Sequence, residues 1–199
     1  MNIFLCVLMG YLVGCINPAY IISKFNGFDI REKGTGNAGA SNVTIVMGKK
    51  AGILTALFDI LKAFTVTMIA GYLFPNIKCV KIISGISCIL GHIFPVFMKF
   101  HGGKGLACLG GMILSYNPLI FLILLLTELV IVLLAGYISV VAPSGAVLFT
   151  LTYFFTTSDI TGTSLLTVVS VIIFCKHIGN FRRIRKGEET PISILWKKN

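Results

Sequence analysis

The sequence predicts an all-α integral membrane protein: a polytopic helical bundle of about seven transmembrane helices, with its N-terminus outside and its C-terminus cytoplasmic. Three observations carry this prediction. Hydrophobic residues make up 56% of the chain and charged ones only 12%, too little polar surface to coat a soluble globule. Apolar runs of membrane-crossing length recur along the chain, separated by short polar segments. The net charge of +10 gathers mostly in three of those segments. A chain of 199 residues suits a single domain over 1–199, with no room for a further large soluble domain.

A membrane helix needs about 20 mainly apolar residues. Residues 2–23 meet this, and Gly14 and Pro18 are interruptions that a membrane helix tolerates. Leu12-Val13-Gly14-Cys15 looks like a lipoprotein cleavage box, but no basic residue precedes it and the apolar run continues through Ile22. The segment therefore reads as a retained first span. Residues 51–74 form a second span, ending at Pro75-Asn76, and residues 80–98 a third, closed by Lys99. A short fourth runs from Leu106 to Tyr116; it is tilted or begins inside the preceding loop, and a five-span count with re-entrant segments is the alternative. The fifth covers 119–135, the sixth 140–157 and the seventh 164–176.

Basic residues set the orientation. Segments 24–50, 99–105 and 176–199 hold 14 of the 17 lysines and arginines, Lys197 and Lys198 included, so they are expected on the cytoplasmic side. Lys78 and Lys81 fall on the outer side. The same charges favour anionic lipid headgroups. Nucleic acid is a poor partner, because the charges flank apolar spans without interleaved aromatics. The six cysteines show no C-x-x-C pair and no metal-like spacing with histidine, so they are read as packing residues and no metal or cofactor is expected.

Ionisable groups inside spans are costly and draw notice. Asp59 and Lys62, three residues apart, are expected to pair on one helix. Glu128 stands alone in the fifth span, placed to snorkel or to bond across helices, and His92 is expected to act as a helix-packing hydrogen bonder.

Three polar segments carry phosphate-friendly chemistry. In the first, Gly34, Gly36 and Gly39 match G-x-G-x-x-G, but no strand or βαβ context surrounds them, which excludes a dinucleotide fold. Successive glycine amides remain a candidate anion nest, with Thr35, Asn37, Ser41 and Asn42 as added donors. The second is Gly102-Gly103-Lys104-Gly105, which is not a Walker A loop: Met98 stands where the first glycine belongs and Gly105 where the Ser/Thr belongs. Here Lys104 offers charge and the glycine amides offer directional bonds. The third runs from Lys176 to Glu189; if it is helical through Arg183, then His177, Asn180 and Arg183 share one face. All three lie on the same expected side of the membrane and point to a phosphorylated substrate bound there.

Gly34–Gly52, Gly91–Ala107 and His177–Glu189 closely resemble the three motif regions of the PlsY family, the bacterial acyl-phosphate:glycerol-3-phosphate acyltransferases, and the resemblance extends over essentially the whole chain. It implies a seven-span enzyme of the bacterial cell membrane with its active site facing the cytoplasm. Such an enzyme transfers a fatty acyl group from acyl phosphate to the 1-hydroxyl of glycerol 3-phosphate, giving lysophosphatidic acid and phosphate without a cofactor. By position, the resemblance makes Lys104, His177 and Asn180 the catalytic residues, with Lys104 on the phosphates and His177, Asn180 and Arg183 holding glycerol 3-phosphate. Thr35, Gly36, Asn37, Ser41, Asn42, Lys49, Gly102, Gly103, Gly105 and Ser139 become substrate-binding, and Glu189 braces the C-terminal arm. Either a substrate phosphate oxygen or His177 takes the hydroxyl proton.

Some positions depart from the family pattern. Thr35 stands for serine and Ser41 for threonine, mild changes that keep a hydroxyl. Ile45 stands where the family carries an arginine, and Lys49, four residues on, is expected to substitute in part. Gly136 and Ala142 replace an arginine and a serine between the fifth and sixth spans. The rival readings are a weakened paralogue that binds lipid or a partner, and a small-anion transporter. The transporter is disfavoured because the polar groups gather on one face and no internal repeat is visible.

Overall fold

A computed structural model describes residues 2–192; Lys197 and Lys198 of the basic C-terminal cluster lie outside the described residues. Helices and short 3₁₀ turns make up the regular structure, with no strand among the described residues. Among the described residues, six helical segments are long and apolar enough to cross a membrane: Asn2–Phe25, Lys49–Leu73, Val80–Met98, Pro118–Ala135, Ile138–Thr157 and Ile160–Lys186. Leu106–Tyr116 is a shorter apolar helix of 11 residues, about 16 Å long against a hydrocarbon core of about 30 Å. The chain divides into two compact units, Met1–Asn117 and Pro118–Asn199.

In the first unit, the first span is two helices, α1 (Asn2–Cys15) and α2 (Pro18–Phe25). Pro18 cannot donate to the preceding turn, so the helix breaks before it. Asn17 then caps α2 by accepting from Tyr20 N at 2.9 Å. α3 (Ala40–Met47) and α4 (Lys49–Leu73) follow, parted by Gly48 at φ +90°. α5 (Val80–Ile93) and α6 (Leu106–Tyr116) complete the unit.

α1 packs on α5 through glycines. A Cβ on Gly14 would overlap Cys88 O, and one on Gly91 would overlap Tyr11 O. Close backbone approach over small residues is how membrane helices associate when no hydrophobic force draws them together. Gly111 of α6 meets Ile60 O of α4 in the same way.

The second unit comprises α7 (Pro118–Ala135), α8 (Val141–Thr157) and α9 (Ile160–Lys186). Leu122, Leu125, Leu126, Leu129 and Leu133 of α7 are exposed, as suits a lipid-facing surface. Asp159 caps α9 through Gly162 N and accepts from Tyr153 Oη at 2.7 Å. The seventh predicted span thus continues as one helix from 160 to 186, ending at Gly187 with φ +72°.

Candidate active site

The first polar loop leaves α2 and is shaped by two side chains. Asp29 accepts from Arg31 N at 3.0 Å and pairs with its guanidinium, Nη2 to Oδ2 at 2.7 Å. The Arg31 hydrogen bond holds the Asp29 carboxyl well below the usual carboxylate range, and Asp29 in turn raises Arg31. Asn42, fully buried on α3, donates from Nδ2 to Ile30 O and Lys33 O, both at 3.0 Å, and accepts from Thr35 N at 2.7 Å. Beneath the loop, Ala19, Ile30, Ala38, Val43 and Met98 form an apolar cluster. Thr35 and Ser41 remain exposed and Asn37 half-buried, on a loop whose backbone is fixed from below.

The glycine–lysine turn folds back against the end of α5. Lys99 and Phe100 turn the chain with φ near +53° and +60°. Gly102 N then donates to Ile93 O at 3.1 Å and Gly103 N to His92 O at 3.0 Å. Lys104 emerges from this clamp at the start of α6, where helix amides and the N-terminal dipole favour an anion. The first loop and this turn are tied together: Arg31 Nη1 donates to Met98 O at 2.9 Å, and Gly103 lies against Ala38 O. Ala38 O also accepts from Asn17 Nδ2 at 3.0 Å. The structure therefore brings the first and second motifs into one assembly.

Two expectations change here. The sequence offers the glycine amides as anion ligands, yet those of Gly102, Gly103 and Gly36 donate to Ile93 O, His92 O and Lys33 O, and Thr35 N donates to Asn42 Oδ1. Gly102 and Gly103 sit too close to His92 for a Cβ and serve close approach, whereas Gly36 is exposed and supplies a turn at φ +73°. Lys49 was expected one helical turn beyond Ile45. Gly48, in a conformation that L side chains rarely adopt, ends α3, and Lys49 begins a new helix, so the substitution along one helix face does not hold. Ile45 itself is half exposed.

Beneath the turn lies a buried polar cluster. Lys62 Nζ stands 2.6 Å from Asp59 Oδ1, the pair expected from the sequence, and also donates to Gly14 O at 3.1 Å and Ile16 O at 2.6 Å. His92 Nδ1 sits 3.1 Å from Lys62 Nζ and 3.3 Å from Asp59 Oδ1. Asp59, His92 and Cys108 place ligand atoms within 4.8 Å of one another, but the Lys62 ammonium already fills the cation position beside Asp59 and His92. The donor set fits a side-chain cation rather than a metal.

In the second unit, His177 and Asn180 are buried on α9. His177 Nδ1 lies 2.8 Å from Ile173 O, a carbonyl that only accepts, so this nitrogen carries the hydrogen. In the neutral ring, Nε2 is then an acceptor. Glu189 returns beyond the Gly187 cap to accept from Asn180 Nδ2 at 2.6 Å and Arg183 Nε at 2.7 Å. His177, Asn180 and Arg183 thus share the face expected of them. Ser139 lies in the 3₁₀ turn before α8 with a buried Oγ, and Gly136 O in the same connection accepts from Ile192 N at 2.8 Å. Glu128 bonds across helices, accepting from Ser144 Oγ at 2.7 Å.

Sequence reasoning missed the link between the Asp59–Lys62 pair and the glycine turn. The signal was there in part: His92 precedes Gly103 by one short reversal. Its contact with a pair 30 residues earlier needed the fold.

A family model described as glycerol-3-phosphate acyltransferase matches residues 4–187. The glycerol-3-phosphate acyltransferase of Thermoanaerobacter sp. (strain X514) is 38% identical over 191 residues, 94% of each chain. That of Bacillus subtilis (strain 168) is 32% identical over 98% of this chain and 100% of the relative. The crystal structure of PlsY (YgiH), an integral membrane glycerol 3-phosphate acyltransferase in its glycerol 3-phosphate form, matches with a TM-score of 0.89 at 32% identity, over 99% of this chain and 100% of that one. Matched length, identity and fold agree, and the chain belongs to the glycerol-3-phosphate acyltransferase family.

Proposed function

We propose that this membrane acyltransferase moves a fatty acyl group from acyl phosphate to the 1-hydroxyl of sn-glycerol 3-phosphate, the first acylation of phospholipid synthesis, at the cytoplasmic face of a bacterial cell membrane. Family membership supports the reaction, and the basic segments 24–50 and 99–105 support the sidedness. The observation that carries the residue roles is Lys104, delivered to the N-terminus of α6 by a turn stapled to both α5 and the first loop. A positive charge fixed there, with the helix dipole behind it, suits phosphate. Thr35, Asn37 and Ser41 supply side-chain donors around it, while Asn42, Gly102 and Gly103 hold the backbone.

His177, Asn180 and Arg183 receive glycerol 3-phosphate, Glu189 fixing the last two. Ser139 contributes a hydroxyl beside the same substrates, and the two units act as one enzymatic domain. Acyl phosphate is a mixed anhydride and already activated. The task is alignment and charge stabilisation rather than covalent catalysis. The glycerol 1-hydroxyl oxygen attacks the acyl carbon, the bond from that carbon to the phosphate oxygen breaks, and phosphate leaves with the electron pair. The hydroxyl proton passes to a phosphate oxygen; the rival acceptor is His177 Nε2, left without a hydrogen when Nδ1 donates to Ile173 O.

The test is turnover of purified Lys104→Ala and His177→Ala against the wild-type protein, with acyl phosphate and labelled glycerol 3-phosphate. Lys104→Ala is expected to lose at least about a hundredfold in kcat/KM, the scale of a lost electrostatic donor. Full turnover by that variant would refute the assignment.

A further inference from the structure

We propose that His92 is a positioning residue for Lys104, its ring locked by Asp59 and Lys62 and pressed against the glycine turn. The inference rests on the reading of Lys104 given above. His92 is 3% exposed in the last turn of α5 and presents its two ring edges to different partners. The Nδ1 edge faces the Asp59–Lys62 pair at 3.3 and 3.1 Å. The Nε2 edge faces Gly103 so closely that a Cβ on that residue would overlap it. Its own carbonyl accepts from Gly103 N at 3.0 Å. One residue thus grips the turn by main chain and side chain, immediately before Lys104.

The pair behind the ring is itself immobilised. Asp59 is 1% and Lys62 7% exposed, on the α4 face opposite the break between α1 and α2. That break frees the carbonyls of Gly14 and Ile16, which would otherwise accept within a continuous helix, and Lys62 Nζ takes both. The same break places Asn17, whose amide reaches Ala38 O, a second atom that a Cβ on Gly103 would crowd. Gly103 therefore lies against both His92 and Ala38 O, and both lead back to the α1–α2 break, one through Lys62 and the other through Asn17. Burying charged groups inside a membrane protein is expensive, and an apolar trio would pack the same volume. An apolar ring at position 92 would leave the pair without its third partner and the turn without a fixed wall.

The experiment measures kcat and KM for both phosphate substrates in His92→Phe, Asp59→Asn and Gly103→Ala, with the thermal unfolding midpoint in detergent as the control. Each variant is expected to lose at least about tenfold in kcat/KM, while Asp59→Asn, nearly isosteric, keeps a monodisperse fold. A second-site arm separates positioning from general damage. His92→Ala combined with Gly103→Ala relieves the overlap with the ring but not the loss of the wall, and is expected to stay at least about tenfold below wild type in kcat/KM. Wild-type kcat/KM in folded Asp59→Asn or His92→Phe, or wild-type kcat/KM in the double variant, would overturn the inference while leaving the functional reading standing. A silent wild-type protein would overturn both.

Discussion

Asn42 and Glu189 do for their loops what a strand ladder does for a sheet: each satisfies several groups at once. Asn42 closes the first loop on three backbone groups, and Glu189 joins Asn180 to Arg183 across the α9 terminus. Glu189→Ala removes both bonds and is expected to raise the KM for glycerol 3-phosphate about tenfold, or about 1.4 kcal/mol, as initial-rate kinetics would measure. Asp29 gives a pH signature. Arg31 depresses its native pKa, so the stabilisation is complete above the ordinary value of about 3.9 and is lost as pH falls through the depressed one. The gap in unfolding midpoint between wild type and Asp29→Asn is expected in full at pH 7, should begin to narrow below about pH 4, and should close only as pH passes through the depressed value. The three motifs were legible because their residue types carry their chemistry openly. What each residue bonds was not: a glycine amide reads the same in sequence whether it faces an anion or Ile93 O.

Element boundaries followed composition where composition alone decides them. The long apolar runs became helices at the expected places, and Pro118, Asp159 and Gly187 mark ends that cap chemistry explains. Two breaks go further than composition shows, one completed by a tertiary partner and one by a local backbone conformation. Lys62 supplies the acceptor-hungry cation at the α1–α2 break, and Gly48 takes a conformation that separates α3 from α4. Helix packing by small residues has a direct check. Gly91→Leu forces a side chain onto Tyr11 O and is expected to cost about 1–3 kcal/mol, seen as a lower unfolding midpoint in detergent. The exposed Ile45 gives a gain-of-function check at the same scale. Ile45→Arg restores the charge that the family pattern carries and is expected to raise kcat/KM for glycerol 3-phosphate about tenfold, since a charge-assisted contact contributes about 1.5–3 kcal/mol.

At the scale of the whole molecule, the chain is a helical membrane acyltransferase whose polar groups are sorted by purpose. Buried ones, such as Lys62 and Asn42, fix backbone, and Asp59 holds Lys62 and His92 in place. Less buried ones, such as Thr35, Ser41 and Lys104, are left near the surface of loops expected on one membrane side. That sorting suits the proposed mechanism of alignment, in which two phosphorylated substrates are brought together and the anhydride supplies the driving force. The most direct test supplies purified protein with acyl phosphate and labelled glycerol 3-phosphate, and follows lysophosphatidic acid and released phosphate together. The account expects both products in equal amounts, with acyl-coenzyme A unable to replace acyl phosphate as donor. Turnover with acyl-coenzyme A and none with acyl phosphate would contradict it.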